Sequence, residues 1–249
     1  MNLLHALSKD ASIVILTGAG ISAESGLETF RGAGGLWCGH RVEEVATPEA
    51  FESNPELVHT FYNMRRSGLL APAIQPNPAH KALQKLEERW SGEVLIITQN
   101  VDDLHERGGS RNLLHMHGEL LQAFCVHCSS GTGEKIERRN DLSTESICPS
   151  CGQAGGLRPD IVWFGEMPYH MAAISAALSR CDLFIAIGTS GHVYPAAGFV
   201  SEALSAGAIT IEMNLEPSQN ASVFHHSITG PAGTTVPELI ETLVEHRTP

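Results

Sequence analysis

Four cysteines carry the clearest chemical signal in this 249-residue sequence: Cys125 and Cys128, nineteen intervening residues, then Cys148 and Cys151. Two C-x2-C pairs at that separation put four thiolates on facing turns, the donor set of a tetrahedral zinc site. Four protein ligands leave the ion no open position, so one structural Zn is expected and no catalysis from it. Thiolates bind metal only when reduced, which argues for a reducing compartment and against a disulfide framework. Cys38 and Cys181 read as small apolar residues, and His127 beside the set is a spare donor.

His117 is the second signal. It follows a short aliphatic run and precedes Gly118, which leaves space beside the ring. An imidazole titrates near neutrality and can move a proton between reacting groups. Most of the 13 histidines should be ordinary structural side chains. His225 and His226 read that way, while His115, two positions from His117 on the same strand face, reads as support. The third signal is Gly18-Ala19-Gly20-Ile21-Ser22, a Gly-x-Gly turn that lets a pyrophosphate approach backbone N–H groups at a helix N-terminus. Ala23 occupies the third glycine position, and no acidic residue ends a second strand about twenty residues on, which disfavours an ordinary dehydrogenase.

Six aliphatic or β-branched runs, at 12–16, 94–98, 113–116, 183–187, 209–213 and 223–228, must position these groups. The first, second, fourth and fifth are almost wholly apolar, as strands buried on both faces are. Helices should fall between them. Asn54-Pro55 and Asn77-Pro78 each place a cap before a proline at the first helical position. A third helix is expected from about Pro195 to Ala206, stopped by Gly207, and a last one from Thr235-Val236-Pro237 onward. Alternation of this kind predicts an α/β fold with a doubly wound, parallel, six-stranded Rossmann-like sheet. Residues 32–75, a glycine-rich loop and helical insertion, and residues 124–156, a small four-cysteine zinc-binding lobe, interrupt it. The nucleotide-binding domain is then 1–31, 76–123 and 157–249.

Ligands of such sheets bind beyond the carboxyl ends of the strands. Small and polar residues recur there: Gln99-Asn100-Val101-Asp102, Gly188-Thr189-Ser190, Asn214-Leu215-Glu216 and Gly230-Pro231-Ala232. With 16 basic against 28 acidic residues and a net charge of −12, a nucleic-acid surface or an anionic-membrane surface is disfavoured. Apolar residues at 42% suffice for a core, yet no run approaches the roughly 20 residues of a membrane span. The first residues lack a basic leader, so a cytoplasmic location is expected.

These stretches resemble the sirtuins, NAD-dependent protein lysine deacylases, along nearly the whole chain. The likeness rests on the Gly18–Ser22 segment, Phe30-Arg31, Thr98-Gln99-Asn100-Val101-Asp102, His117-Gly118, both cysteine pairs, Phe164-Gly165-Glu166, Gly188-Thr189-Ser190 and Asn214, all in order. Glu28-Thr29-Phe30-Arg31 replaces the Pro-Asp-Phe-Arg of many deacetylases and, with Gly32-Ala33-Gly34-Gly35-Leu36-Trp37, is similar to the bacterial and mitochondrial subgroup that removes acidic acyl groups. That subgroup carries a Tyr and an Arg three residues apart, matched by Tyr62 and Arg65 on one helix face. A guanidinium can grip a succinyl or malonyl carboxylate while a phenol adds a donor. Neighbouring Arg66 reads as a solvated surface residue.

The resemblance implies NAD, as co-substrate, bound by Gly18, Ala19, Gly20, Ser22, Phe30, Arg31, Gln99–Asp102, Gly188–Ser190, Asn214–Glu216 and Ala232. Acylated lysines on proteins would enter beside Val162, Phe164 and Gly165. On that resemblance the amide oxygen attacks the nicotinamide ribose and nicotinamide leaves; His117 acts as general base on a ribose hydroxyl, which attacks the resulting imidate, and water completes the release of free lysine and 2′-O-acyl-ADP-ribose. Protein mono-ADP-ribosyl transfer and a non-catalytic, zinc-containing NAD sensor are the competing readings. The oligomeric state is not fixed by the sequence.

Overall fold

The computed structural model describes residues 7–29, 36–37, 39–128 and 134–245. In chain order its elements are β1 (Ile13–Thr17), the short strands β2 (Leu36–Trp37) and β3 (His40–Arg41), and helices α1 (Val42–Val45), α2 (Pro48–Ser53), α3 (Pro55–Leu69) and α4 (Pro78–Arg89). Next come β4 (Val94–Thr98), α5 (Leu104–Gly108), β5 (Leu113–His115), β6 (Gly118–Cys125), β7 (Ile136–Glu137) and β8 (Leu157–Ile161). The chain ends with α6 (Met171–Leu178), β9 (Leu183–Ile187), α7 (Phe199–Ser205), β10 (Ile209–Asn214), β11 (His226–Thr229) and α8 (Ala232–Glu245).

The main sheet has six parallel strands in the order β11-β10-β9-β1-β4-β5. Counted by appearance, this is the 3-2-1-4-5-6 order of dinucleotide-binding sheets, with the crossover reversal between β1 and β9. Strand alternation sends Ile13, Ile15, Ile96 and Ile185 toward α4 and α8, while Val14, Leu16, Ile97 and Phe184 face α6 and α7. Both faces are covered, which is why β1, β4 and β9 read as unbroken apolar runs.

Both Asn-Pro starts form as expected. Asn54 Oδ1 accepts from Leu57 N–H at 3.1 Å, and Asn77 Oδ1 accepts from Ala79 N–H at 2.9 Å. The expected strand at 223–228 is shorter, because a 3-10 turn at Ala221–Val223 precedes β11. Helix α8 begins at Ala232, three residues before the expected Thr235, and carries Pro237 within it.

A second, antiparallel sheet of three strands, β7-β6-β8, forms the smaller lobe. It starts at Gly118 and takes in Leu157–Ile161, so it reaches beyond the 124–156 span expected for the cysteine lobe. The reason lies in β8, whose Arg158 and Asp160 are buried by pairing, so charge hides the strand. Helix α3 packs Val58, Phe61 and Tyr62 against Leu120, Ile161 and Trp163 of this lobe.

Candidate active site

A cavity of about 1920 Å3 opens at the carboxyl ends of the parallel strands, between the two lobes. Its walls are Gly18, Ala19, Gly20 and Ser22 after β1, Gln99–Asp102 after β4, and His117 between β5 and β6. Gly188, Thr189 and Ser190 after β9, Asn214, Leu215 and Glu216 at β10, and Ala232 of α8 complete the sheet side. Tyr62 and Arg65 of α3, with Val162, Phe164 and Gly165 after β8, face them. The structure thus gathers every catalytic, NAD-binding and substrate residue proposed from sequence except Phe30 and Arg31, which lie outside the described residues, as do Gly32–Gly35 and Cys38.

The turns after β1 and β9 touch directly. A Cβ on Gly20 would lie 2.6 Å from Gly188 Cα, and one on Gly188 would lie 2.4 Å from Ile21 N. Only paired glycines allow that approach, and Gly20 N–H donates to the Gly188 carbonyl across it at 2.9 Å.

His117 Nδ1 lies 3.2 Å from the Gln99 carbonyl oxygen. A carbonyl only accepts, so Nδ1 carries the proton and Nε2 keeps its lone pair. Burial lowers the His117 pKa, partly offset by the Gln99 carbonyl, and so favours the neutral ring that a base requires. His115 is buried behind it, with Nδ1 3.1 Å from the Asn100 oxygen and Nε2 2.6 Å from Glu106 Oε1.

Asn100 Nδ2 donates to the Gly18 carbonyl and to Ser22 Oγ, each at 3.2 Å. Ser22 Oγ donates to Asp102 Oδ2 at 3.0 Å, and Leu104 N–H donates to Asp102 Oδ1 at 3.1 Å. Burial pushes the Asp102 carboxyl up to about 6, while those two donors and nearby His115 hold it back. The glycine turn and the β4 loop are therefore one hydrogen-bonded unit.

At the far end Asn214 Nδ2 donates to the Thr189 carbonyl at 2.9 Å and to Glu212 Oε1 at 3.1 Å. Glu212 is buried within β10 and also accepts from Ser218 N–H at 3.2 Å and Ser227 Oγ at 3.3 Å. Sequence reasoning passed over this residue. Its signal was present, since an acid inside the apolar run Ile-Thr-Ile-Glu-Met requires donors close by.

On the opposite wall the Arg65 guanidinium lies 4.2 Å from the Phe61 ring centroid. Tyr62 is buried, and burial raises its hydroxyl pKa, so it stays protonated and able to donate. Trp163 Nε1 donates to the Tyr62 oxygen at 2.9 Å. The indole is covered in turn by Arg158, which is held by Glu166 through bonds of 2.7 and 3.0 Å. Arg66 corrects the sequence reading: it is 1% exposed and donates to the Leu120 carbonyl at 3.3 Å and to Asn63 Oδ1 at 2.8 Å. Nε and Nη1 thus meet acceptors inside the fold, which offsets part of the cost of burial, while Nη2 is buried without a hydrogen-bond partner among the described residues.

Away from the cavity, the Sγ atoms of Cys125, Cys128, Cys148 and Cys151 all lie within 4.8 Å of one another. Cys125 and Cys151 are 3.8 Å apart, and Cys128 and Cys148 are 3.6 Å apart. A tetrahedral zinc with bonds of about 2.3 Å needs sulfur separations of roughly 3.8 Å, so the cluster fits that ion. His127 is not among the four donors; its ring packs on Gly156. Cys181 is buried, and burial pushes its thiol up to about 11, in keeping with a small apolar residue.

Residues 18–195 match the Sir2 family. An NAD-dependent protein deacylase of Bdellovibrio bacteriovorus is 56% identical over 234 residues, spanning 94% of this chain and 97% of its own. One from Salmonella typhimurium is 56% identical over 235 residues, spanning 94% of this chain and 85% of its own. Among solved structures, a Sir2 homologue–NAD complex superposes with a TM-score of 0.88 at 37% identity, covering 99% of this chain and 94% of that one.

Proposed function

We propose, from the premise that this chain belongs to the Sir2 family and is an NAD-dependent protein deacylase, that it removes succinyl and malonyl groups as well as acetyl groups from protein lysines. The observation that carries this reading is the presence of Arg65 and Tyr62 on one wall of the cavity that also holds His117. A cavity tuned to acetyl alone has no use for a guanidinium, whereas an acyl carboxylate gains two charge-assisted hydrogen bonds from it.

Bound NAD supplies the nicotinamide–ribose bond whose cleavage lets the acyl group pass to the ribose as 2′-O-acyl-ADP-ribose. The chain's own residues account for the rest. The joined turns at Gly20 and Gly188 receive the phosphates, and Thr189, Ser190 and Asn214 receive the adenosine ribose. Asn100 and Asp102 hold the nicotinamide end in one orientation. His117 Nε2 takes the proton of a ribose hydroxyl, because Gln99 fixes Nδ1 as its donor. Val162 and Gly165 offer backbone to the peptide carrying the acyl-lysine, as an added strand would use it. Phe30 and Arg31 belong to this reading through the resemblance alone, as residues that would contact the bound NAD. The four thiolates support a reducing compartment, the cytoplasm. Among the described residues no helix is long and apolar enough to cross a membrane.

Nicotinamide release is measured with matched succinyl-lysine and acetyl-lysine peptides, following deacylated peptide in parallel. Succinyl turnover well above acetyl is expected. Acetyl turnover alone would leave the deacylase and remove the acidic-acyl reading.

A further inference from the structure

His115 and His117 hold consecutive carbonyls of one loop: Nδ1 of His117 meets the Gln99 oxygen at 3.2 Å, and Nδ1 of His115 meets the Asn100 oxygen at 3.1 Å. They differ at the other nitrogen. His117 lines the cavity, whereas His115 Nε2 lies 2.6 Å from Glu106 Oε1. Carbonyl and carboxylate oxygens only accept hydrogen bonds. One such oxygen at each nitrogen of His115 selects a ring with both N–H groups present, an imidazolium. Burial alone pushes the His115 pKa down, but the hydrogen bond and charge of Glu106 outweigh it, and the net shift is upward.

The surroundings agree. The groups facing His115 are Glu106 and His105 on α5, Glu119 on β6, Asp102 in the β4 loop, and His170 before α6. Three of these five are carboxylates, which suits a buried cation. The Asn100 peptide that His115 holds bears the side chain reaching Gly18 and Ser22, and Ser22 in turn donates to Asp102.

We propose that His115, kept charged by Glu106, is a positioning residue for NAD: its Nδ1–H fixes the Asn100 carbonyl and thereby the segment that presents Asn100 and Asp102 to the cleft. This rests on the reading that residues 99–102 receive the nicotinamide end. His115 stands outside the reacting atoms and acts through its neighbours.

The test is steady-state nicotinamide release at saturating acyl peptide with varied NAD, for His115→Phe, His115→Asn and Asn100→Ala. Asparagine places its amide nitrogen near the Nδ1 position and keeps the donor; phenylalanine fills the volume without one. His115→Phe should raise KM for NAD by about three- to tenfold, the scale of one hydrogen bond, with peptide KM unchanged. His115→Asn should recover most of that loss. A normal KM in His115→Phe beside a raised KM in Asn100→Ala would overturn the proposal while sparing the loop reading. Normal values in both would overturn both. Equal impairment in Phe and Asn would assign His115 to packing and overturn the proposal. Nitrogen-15 spectra of the imidazoles in the unaltered protein give a second measure. Both His115 nitrogens should be protonated at neutral pH, with Nε2 losing its proton in Glu106→Gln. A neutral His115 ring in the unaltered protein would overturn the proposal.

Discussion

The indole Nε1 of Trp163 donates to the phenol oxygen of Tyr62 across 2.9 Å, joining the exit of β8 to α3 over 101 positions of sequence. An oxygen that accepts there must turn its own hydrogen away from the indole. The phenol is fixed from behind by a buried series of contacts running through Trp163 and Arg158 to Glu166. Arg65 stands three residues beyond Tyr62 on the same helix, so on the proposed function acyl choice would depend on a phenol held from the other lobe and the guanidinium beside it.

Arg65→Met should raise KM for succinyl-lysine peptide by about ten- to a hundredfold, the range for losing a hydrogen bond to a charged group. Acetyl-lysine KM should change by less than about threefold, because acetyl has no carboxylate to lose. Parallel peptide titrations check this, and equal effects on both substrates would remove Arg65 from acyl selection.

His117→Ala should lower kcat by about 10^2–10^4-fold, the usual contribution of a positioned acid–base group. Calorimetric NAD affinity and bound zinc should stay near normal, since the ring contacts only the Gln99 carbonyl among the bonds described for it. Retained turnover would move the base elsewhere.

Stability should fall as pH drops from about 6.5 toward 4. Burial lowers the His80 pKa to about 4 and that of His105 well below its ordinary 6.5. Both folded values lie below the unfolded one, so the unfolded chain binds more protons in this window. Each such histidine costs up to about 1.4 kcal/mol per pH unit. Asp102, pushed up to about 6, has the opposite sign and offsets one of them below that pH. Urea midpoints at several pH values should show the decline. His80→Asn, whose side-chain oxygen can still accept from Asn77 N–H, should flatten it.

Cys148→Ser, or a chelator strong enough to strip the ion, should remove one zinc per chain and loosen the small lobe. Hydrogen exchange should accelerate in β6 and β8 while β1, β4 and β9 keep their protection. Those three strands belong to a core separate from the cysteine cluster. Unchanged exchange in β6 after zinc loss would show that the lobe stands without metal.

The centre of the parallel sheet was legible because β1, β4 and β9 are covered on both faces and are almost wholly apolar over five residues. Asn54 and Asn77 were legible because a cap and a proline act locally. The small-lobe strands were not. Arg158 and Asp160 sit among five buried residues of β8 and are made tolerable by Glu166, by Lys135 at 2.7 Å and by Tyr169 at 2.9 Å. Those partners are distant or unordered in any local pattern. Arg66 and Glu212 escaped for the same reason: periodicity reports which residues are apolar, and cannot report which charges have found company. Most cavity residues were visible in advance because strand ends and glycine turns mark themselves. His115's partner Glu106 and Glu212 act from behind the wall and bear no such mark.

The passage from the parallel sheet to the small lobe takes only Met116 and His117, and it is locked from both sides. Gly118 has φ +84°, and a Cβ there would lie 2.1 Å from the Asp160 oxygen; the returning chain is tied by Val162 N–H to the His117 carbonyl at 2.9 Å. These two chain crossings are thus tied together at one point. If the lobes swing about it, His117 and Val162 turn as one body, so on the proposed mechanism the base would keep its alignment with the backbone that receives the peptide as the cleft opens.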